Sequence, residues 1–64
     1  MPLIEIHLLE GRSTQEKKKL LASVTEAVAS SIDAPLASIR VWIHEFAEED
    51  YMVAGHMASE RHKR

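Results

Sequence analysis

Cysteine is absent from this 64-residue chain, glycine and proline occur twice each, and the aromatic residues are one Trp, one Tyr and one Phe. Without cysteine there is no disulfide and no thiolate zinc site, and the usage fits a reducing compartment. No apolar run approaches the ~20 residues of a membrane span. A secretory leader is missing as well, because no basic segment opens the chain and Glu5 and His7 interrupt its first apolar stretch. Charge of one sign is also scarce. The net charge is −2 with acids and bases dispersed, which argues against a nucleic-acid partner. The basic cluster at the C-terminus, Arg61, His62, Lys63 and Arg64, reads as a solvated tail. The expectation is a soluble, cytoplasmic protein with one domain over residues 1–64 and neither a membrane nor a nucleic-acid partner.

Small size is itself a constraint. A chain of this length buries only about 60% of the surface its unfolded form exposes, so a lone copy is marginal. Disulfides, a structural metal or oligomerisation are the usual remedies. The first is excluded, and His7, His44, His56 and His62 show no ligand spacing such as H-x-x-x-H. Oligomerisation is what is left.

The pattern that is present reads as strand, helix, strand. From Leu3 to Leu9 the period is two, with Ile4, Ile6 and Leu8 on one face and Leu3, Glu5, His7 and Leu9 on the other. Glu10-Gly11-Arg12-Ser13 is a turn ending in a helix start, and Ser13 followed by Glu16 has the spacing of a capping box. The helix should run to Ser31 or Ile32, with Leu20, Leu21, Val24, Ala27, Val28 and Ile32 as its apolar stripe. Pro35 then disfavours helix at the residue before it. A second strand spans Ile39 to Phe46, and a crossover of this length makes the two strands parallel and right-handed. After the acidic turn Glu48-Glu49-Asp50, the stretch Tyr51 to Gly55 reads as a short extended arm or hairpin. The fold class is therefore α/β: one β-α-β unit with parallel strands and a short C-terminal hairpin. One helix covers one face of a parallel sheet, and such sheets are normally covered on both. The face carrying Arg40, Trp42, His44 and Phe46 is expected to meet other copies of the chain.

Candidates for chemistry are few: Pro2, Arg12, Arg40 and Tyr51. Initiator Met is generally removed before a small residue, proline included, which would make Pro2 a secondary-amine N-terminus. An α-amino group ordinarily titrates near ~7.7–8.0 and a proline amine higher. Burial and nearby cations both favour the neutral form, so an apolar pocket with two arginines makes such an amine a usable general base. An incidental second-position proline is the plain alternative. Arg12 lies at the helix start, where free N–H groups already attract anions and a guanidinium adds a carboxylate fork. A surface ion pair with Glu10 or Glu16 is the other reading. Arg40 alternates onto a semi-apolar face, where it needs a carboxylate, a solvated edge or a ligand. His7 and His44 can share one sheet face, but two ligands do not make a metal site, and they read as interface histidines.

The stretches PLIEIHLLEGRS and DAPLASIRV, together with the length, closely resemble the 4-oxalocrotonate tautomerase family in its short single-βαβ form. That resemblance implies two β-α-β units forming a four-stranded sheet with both helices on one face, and three such dimers forming a hexamer. It also implies keto–enol tautomerisation of a 2-hydroxymuconate-type dienol dicarboxylate, without cofactor or metal, in aromatic-compound catabolism. Pro2 matches the catalytic amine, which takes the 2-hydroxyl proton and returns it to the distal carbon. Arg12 matches the arginine that binds the remote carboxylate. Arg40 matches the one, supplied by a neighbouring subunit, that holds the 2-hydroxy and first carboxylate end. Tyr51, Leu9 and Val53 fall at wall positions. This chain departs from the family pattern in the Tyr51 hydroxyl, in the acids Glu48, Glu49 and Asp50, and in Ala54, which takes positive φ less cheaply than glycine. A promiscuous phenylpyruvate-type tautomerase is one alternative. A hydratase or dehalogenase of unsaturated acids on the same scaffold is another, although its water-activating carboxylate would belong near the apolar Val53. A non-catalytic oligomeric scaffold is the third, and the joint presence of Pro2, Arg12 and Arg40 argues against it.

Overall fold

The computed structural model describes residues 1–61, and of the basic C-terminal cluster read above as a tail only the backbone of Arg61 lies inside them. Strands β1 (Leu3–Leu9) and β2 (Arg40–Phe46) pair in parallel, from Leu3 opposite Arg40 to Leu9 opposite Phe46. Helix α1 (Thr14–Ile32) makes the crossover between them. Among the described residues no helix is long and apolar enough to cross a membrane.

Local chemistry sets each boundary. Gly11, at φ +126, occupies a conformation that side-chain-bearing residues rarely adopt, and it turns the chain from β1 towards the helix start. The capping box is complete: the Glu16 N–H donates to Ser13 Oγ at 3.1 Å and the Ser13 N–H donates to Glu16 Oε1 at 3.0 Å. At the other end Asp33 takes a left-handed conformation, φ 54, and its N–H donates to the Ala29 carbonyl, a position that Asp tolerates better than most residues. A single 3₁₀ turn, Leu36–Ser38, follows Pro35. It delays the second strand by one residue relative to the sequence reading, because the Ile39 N–H is spent closing that turn on the Leu36 carbonyl.

The face under α1 holds Ile4, Ile6 and Leu8 of β1 and Val41 and Ile43 of β2, all half-buried beneath Leu20, Leu21, Val24 and Val28. Glu45, opposite Leu8, also points to this side, and Lys17 Nζ donates to Glu45 Oε1 at 3.2 Å. Two residues of the expected stripe are displaced from it. Ala27 is exposed and Ile32, in the last turn, is 62% exposed. The opposite sheet face, with Leu3, Glu5, His7, Arg40, Trp42 and His44, is exposed.

Beyond β2 the acidic residues form a 3₁₀ turn, Glu48–Asp50. A two-residue hairpin follows, β3 (Met52–Val53) against β4 (His56–Met57), and then one helical turn, α2 (Ala58–Arg61). The turn residues Ala54 and Gly55 both have positive φ, 53 and 84, as a type I′ connection requires. Ala54 thus adopts the conformation that is costly for it.

A core is nearly lacking. Among the described residues only Ile39 and Ala58 are buried. The radius of gyration is 15.0 Å, against about 11 Å for a compact domain of this length. Both strands have one unpaired edge, since the sheet contains only β1 and β2.

Candidate active site

The β-α-β unit sorts the chemistry-bearing residues into two groups at opposite ends of the sheet. Pro2 and Arg40 stand at the start of the two strands, tied by the Arg40 N–H donating to the Pro2 carbonyl at 3.1 Å. Pro2 is half-buried, whereas Met1 before it is 81% exposed. The Arg40 side chain folds back, with Nη1 donating to the Ala37 carbonyl at 2.8 Å. That bond uses one donor of a guanidinium that has five.

The other end holds Arg12, Leu9 and Tyr51. They line a cleft of about 410 Å³ shared with Phe46, Glu48 and His7. Tyr51 packs on Phe46 with ring centroids 5.1 Å apart, and its carbonyl accepts the Ala58 N–H at 2.9 Å, which anchors the hairpin to this end. Val53 stands on the exposed hairpin and does not line the cleft.

Arg12 Nη1 lies 3.7 Å from Glu16 Oε2, and both side chains are more than half exposed. That is the surface ion pair weighed from spacing, and an exposed pair of this kind holds its arginine weakly. Glu16 itself is pulled below the ordinary carboxylate range, mainly by the Ser13 backbone N–H and secondarily by Arg12. Arg12 is therefore a cation at a helix N-terminus, beside a cleft, with donors to spare.

The two groups do not meet within one chain. At ~3.3 Å per residue, the stretch from Pro2 to Glu10 places them roughly 25 Å apart. Phe46, which the alternation of β2 places on the face expected to meet other copies, also lines the cleft beside Tyr51. Its register opposite Leu9 puts it there. The signal was available in the alternation of β2, which sets Phe46 on the side of Leu9 once the strands are aligned.

A parallel β-α-β unit with a proline just before its first strand, an arginine at each end of the sheet and a cleft that sets Leu9, Phe46 and Tyr51 beside Glu10, Arg12 and Glu48 is a small α/β protein with almost no core of its own. Comparison with known proteins gives the family. Residues 2–61 match the family model described as tautomerase enzyme. The chain is 48% identical to a 2-hydroxymuconate tautomerase of Pseudomonas putida over 59 residues, covering 92% of this chain and 94% of that one. It is similar to a 4-oxalocrotonate tautomerase isozyme from Methylibium petroleiphilum (TM-score 0.90, 38% identity, 94% of each chain). It is equally similar to a heterohexameric 4-oxalocrotonate tautomerase from Chloroflexus aurantiacus (TM-score 0.90, 38% identity, 94% of this chain and 97% of that one). The chain belongs to the tautomerase family, and it is an isomerase.

Proposed function

We propose that this chain is a cofactor-independent keto–enol tautomerase acting on a small dienol dicarboxylate of the 2-hydroxymuconate type. The observation that carries the reading is the conjunction of a second-position proline, two arginines and a cleft walled by Leu9, Phe46 and Tyr51 at the ends of one short sheet. With Met1 removed, the Pro2 amine takes the 2-hydroxyl proton and returns it to the distal carbon of the conjugated system. Arg12 binds the remote carboxylate and draws electron density towards it. Arg40 holds the 2-hydroxy and first carboxylate end. The apolar surfaces of Leu9 and Tyr51, together with the two guanidinium groups, favour the neutral amine over the charged one. Stabilising charge where it develops on the dienolate is the main contribution expected of such a site.

The working unit of this proposal is a homo-oligomer. Pairing two chains antiparallel along a free strand edge brings the Pro2 end of one to the Arg12 and Tyr51 end of the other. It also gives a four-stranded sheet with both helices on one face. The near-absence of buried residues and the extended shape support assembly, and similarity to a heterohexameric 4-oxalocrotonate tautomerase from Chloroflexus aurantiacus supports six chains, arranged in this proposal as a trimer of such dimers.

Mass spectrometry tests whether Met1 is lost, and ketonisation of 2-hydroxymuconate, with phenylenolpyruvate as the monoacid comparison, tests the activity. Pro2→Ala in trimmed protein should lower turnover by about 10²–10⁴, the usual contribution of a positioned acid–base group. Unchanged turnover would overturn the mechanism.

A further inference from the structure

Two acids, Glu10 and Glu48, line the cleft that holds Arg12, among the apolar surfaces of Leu9, Phe46 and Tyr51. The tautomerase reading gives Arg12 a role and neither acid one. Both acids are held at this end by the backbone. The Glu10 N–H donates to the Phe46 carbonyl at 2.9 Å. Glu48 opens the 3₁₀ turn that joins Phe46 to Tyr51. That turn is closed by the Asp50 N–H donating to the Ala47 carbonyl at 2.9 Å and the Tyr51 N–H donating to the Glu48 carbonyl at 3.3 Å. The two rings that bracket it pack with centroids 5.1 Å apart. Arg12, meanwhile, is already shared with Glu16 at 3.7 Å.

Resting on that reading, we infer that Glu48 is a specificity-determining residue. It offsets the pull of Arg12 on a remote carboxylate, so the cleft takes enol monoacids with an uncharged, planar distal end alongside the dicarboxylate. Discrimination is a difference of affinities, and a repulsive element against one substrate serves as well as a contact to the other. The remote carboxylate of a dicarboxylate meets Arg12 with two acids beside it. An alkenyl or aryl end meets the surfaces of Leu9, Phe46 and Tyr51 and carries no charge for the acids to oppose. Glu10, two residues from Arg12, offsets one guanidinium at most. Glu48, brought in from beyond β2, tips the cleft wall towards acid. A second copy closing over this cleft excludes water, and charges interact more strongly at lower dielectric, so the effect survives assembly.

The test uses the assembled full-length protein and a pair of unreactive probes, muconate and sorbate. They share one conjugated chain and differ only in a distal carboxylate against a methyl group. Calorimetry should show the parent binding the two within about threefold of each other, and Glu48→Gln should shift that ratio by about three- to tenfold towards muconate, the size expected of one charge on a partly open wall. Sorbate affinity should stay as in the parent. Glu49→Gln, on the same turn but outside the cleft lining, should leave the ratio unchanged. In turnover, Glu48→Gln should lower KM for 2-hydroxymuconate with kcat unchanged, as expected when only uniform binding is altered, and leave phenylenolpyruvate unaffected. An unshifted ratio in Glu48→Gln, equal tightening of both probes, or an equal shift in Glu49→Gln would overturn the role of Glu48. Binding that shifts as expected without turnover of either enol acid would uphold Glu48 as the selector and overturn the tautomerase reading instead.

Discussion

Ala54 sits at φ 53 in the first central position of the β3–β4 hairpin, where Gly55 follows at φ 84. A left-handed conformation costs a residue with a Cβ about 1–2 kcal/mol. Glycine escapes that cost but gives up about 0.5–1 kcal/mol more backbone freedom on ordering. Ala54 is exposed, so removing its methyl group sacrifices no packing. Ala54→Gly should therefore stabilise the hairpin by about 0.5–1 kcal/mol, taking the difference of those two effects. The hairpin is a terminal element that opens locally, so the sensitive readout is amide exchange at Ala58, whose N–H donates to the Tyr51 carbonyl across the hairpin. Exchange there should slow by about two- to fivefold in Ala54→Gly. It should quicken in Ala54→Val, because a β-branched residue at positive φ is a true outlier. Measurements belong at one protein concentration, since the stability of an oligomer depends on it. Equal exchange in all three proteins would mean that Ala54 does not hold positive φ, and the description of the turn would fall with it.

The helix cap gives a pH prediction with a definite sign. Glu16 is held below its ordinary range by the Ser13 N–H, so its contribution is complete above the pH where an unfolded glutamate titrates and is lost as acid protonates it in the folded chain. Helix content by circular dichroism should fall on that acid side in the parent, and this component should vanish in Glu16→Gln. Separately, Ser13→Ala should cost about 1 kcal/mol in urea denaturation, and no loss would show that the cap does not form. Lys17 and Glu45 pair at 3.2 Å with side chains 30% and 29% exposed. A double-mutant cycle of Lys17→Met and Glu45→Gln should give a coupling of about 1 kcal/mol. The same cycle on the Arg12–Glu16 pair should give close to zero.

The secondary structure was legible because each element carries its own local signal. The period-two run of β1, the Ser13–Glu16 spacing and Pro35 are all short-range features, and the structure keeps every one of them. The errors came where spatial neighbours decide. Ile32 belongs to the stripe by spacing yet lies 62% exposed, because it is in the last turn of α1 and little of this one chain lies beneath it. The α2 turn has only four residues and no periodicity to announce it. The candidate roles of Pro2, Arg12 and Arg40 rest on a resemblance to a family, since nothing in their spacing says which ends of which chains come together.

That question has a direct experimental form. Within one chain the Pro2 and Arg12 ends are roughly 25 Å apart along β1, farther than a six-carbon dicarboxylate can reach. If each site takes Pro2 from one chain and Arg12 from its antiparallel neighbour, two separately inactive proteins should rescue each other. A mixed pair of Pro2→Ala and Arg12→Ala chains has one site with both residues intact and one with neither. Random reassociation of equal amounts makes half of the dimers mixed, and half of the sites in those are whole. The mixture should therefore recover about a quarter of parental activity, as two-fold symmetry dictates. Recovery must appear only after subunits are dissociated and allowed to reassemble, and simple mixing of intact oligomers serves as the control. If reassembly restores nothing while gel filtration shows mixed oligomers, both residues act within the same chain and the antiparallel arrangement is wrong. Recovery well above a quarter would mean that one of the two variants keeps activity of its own.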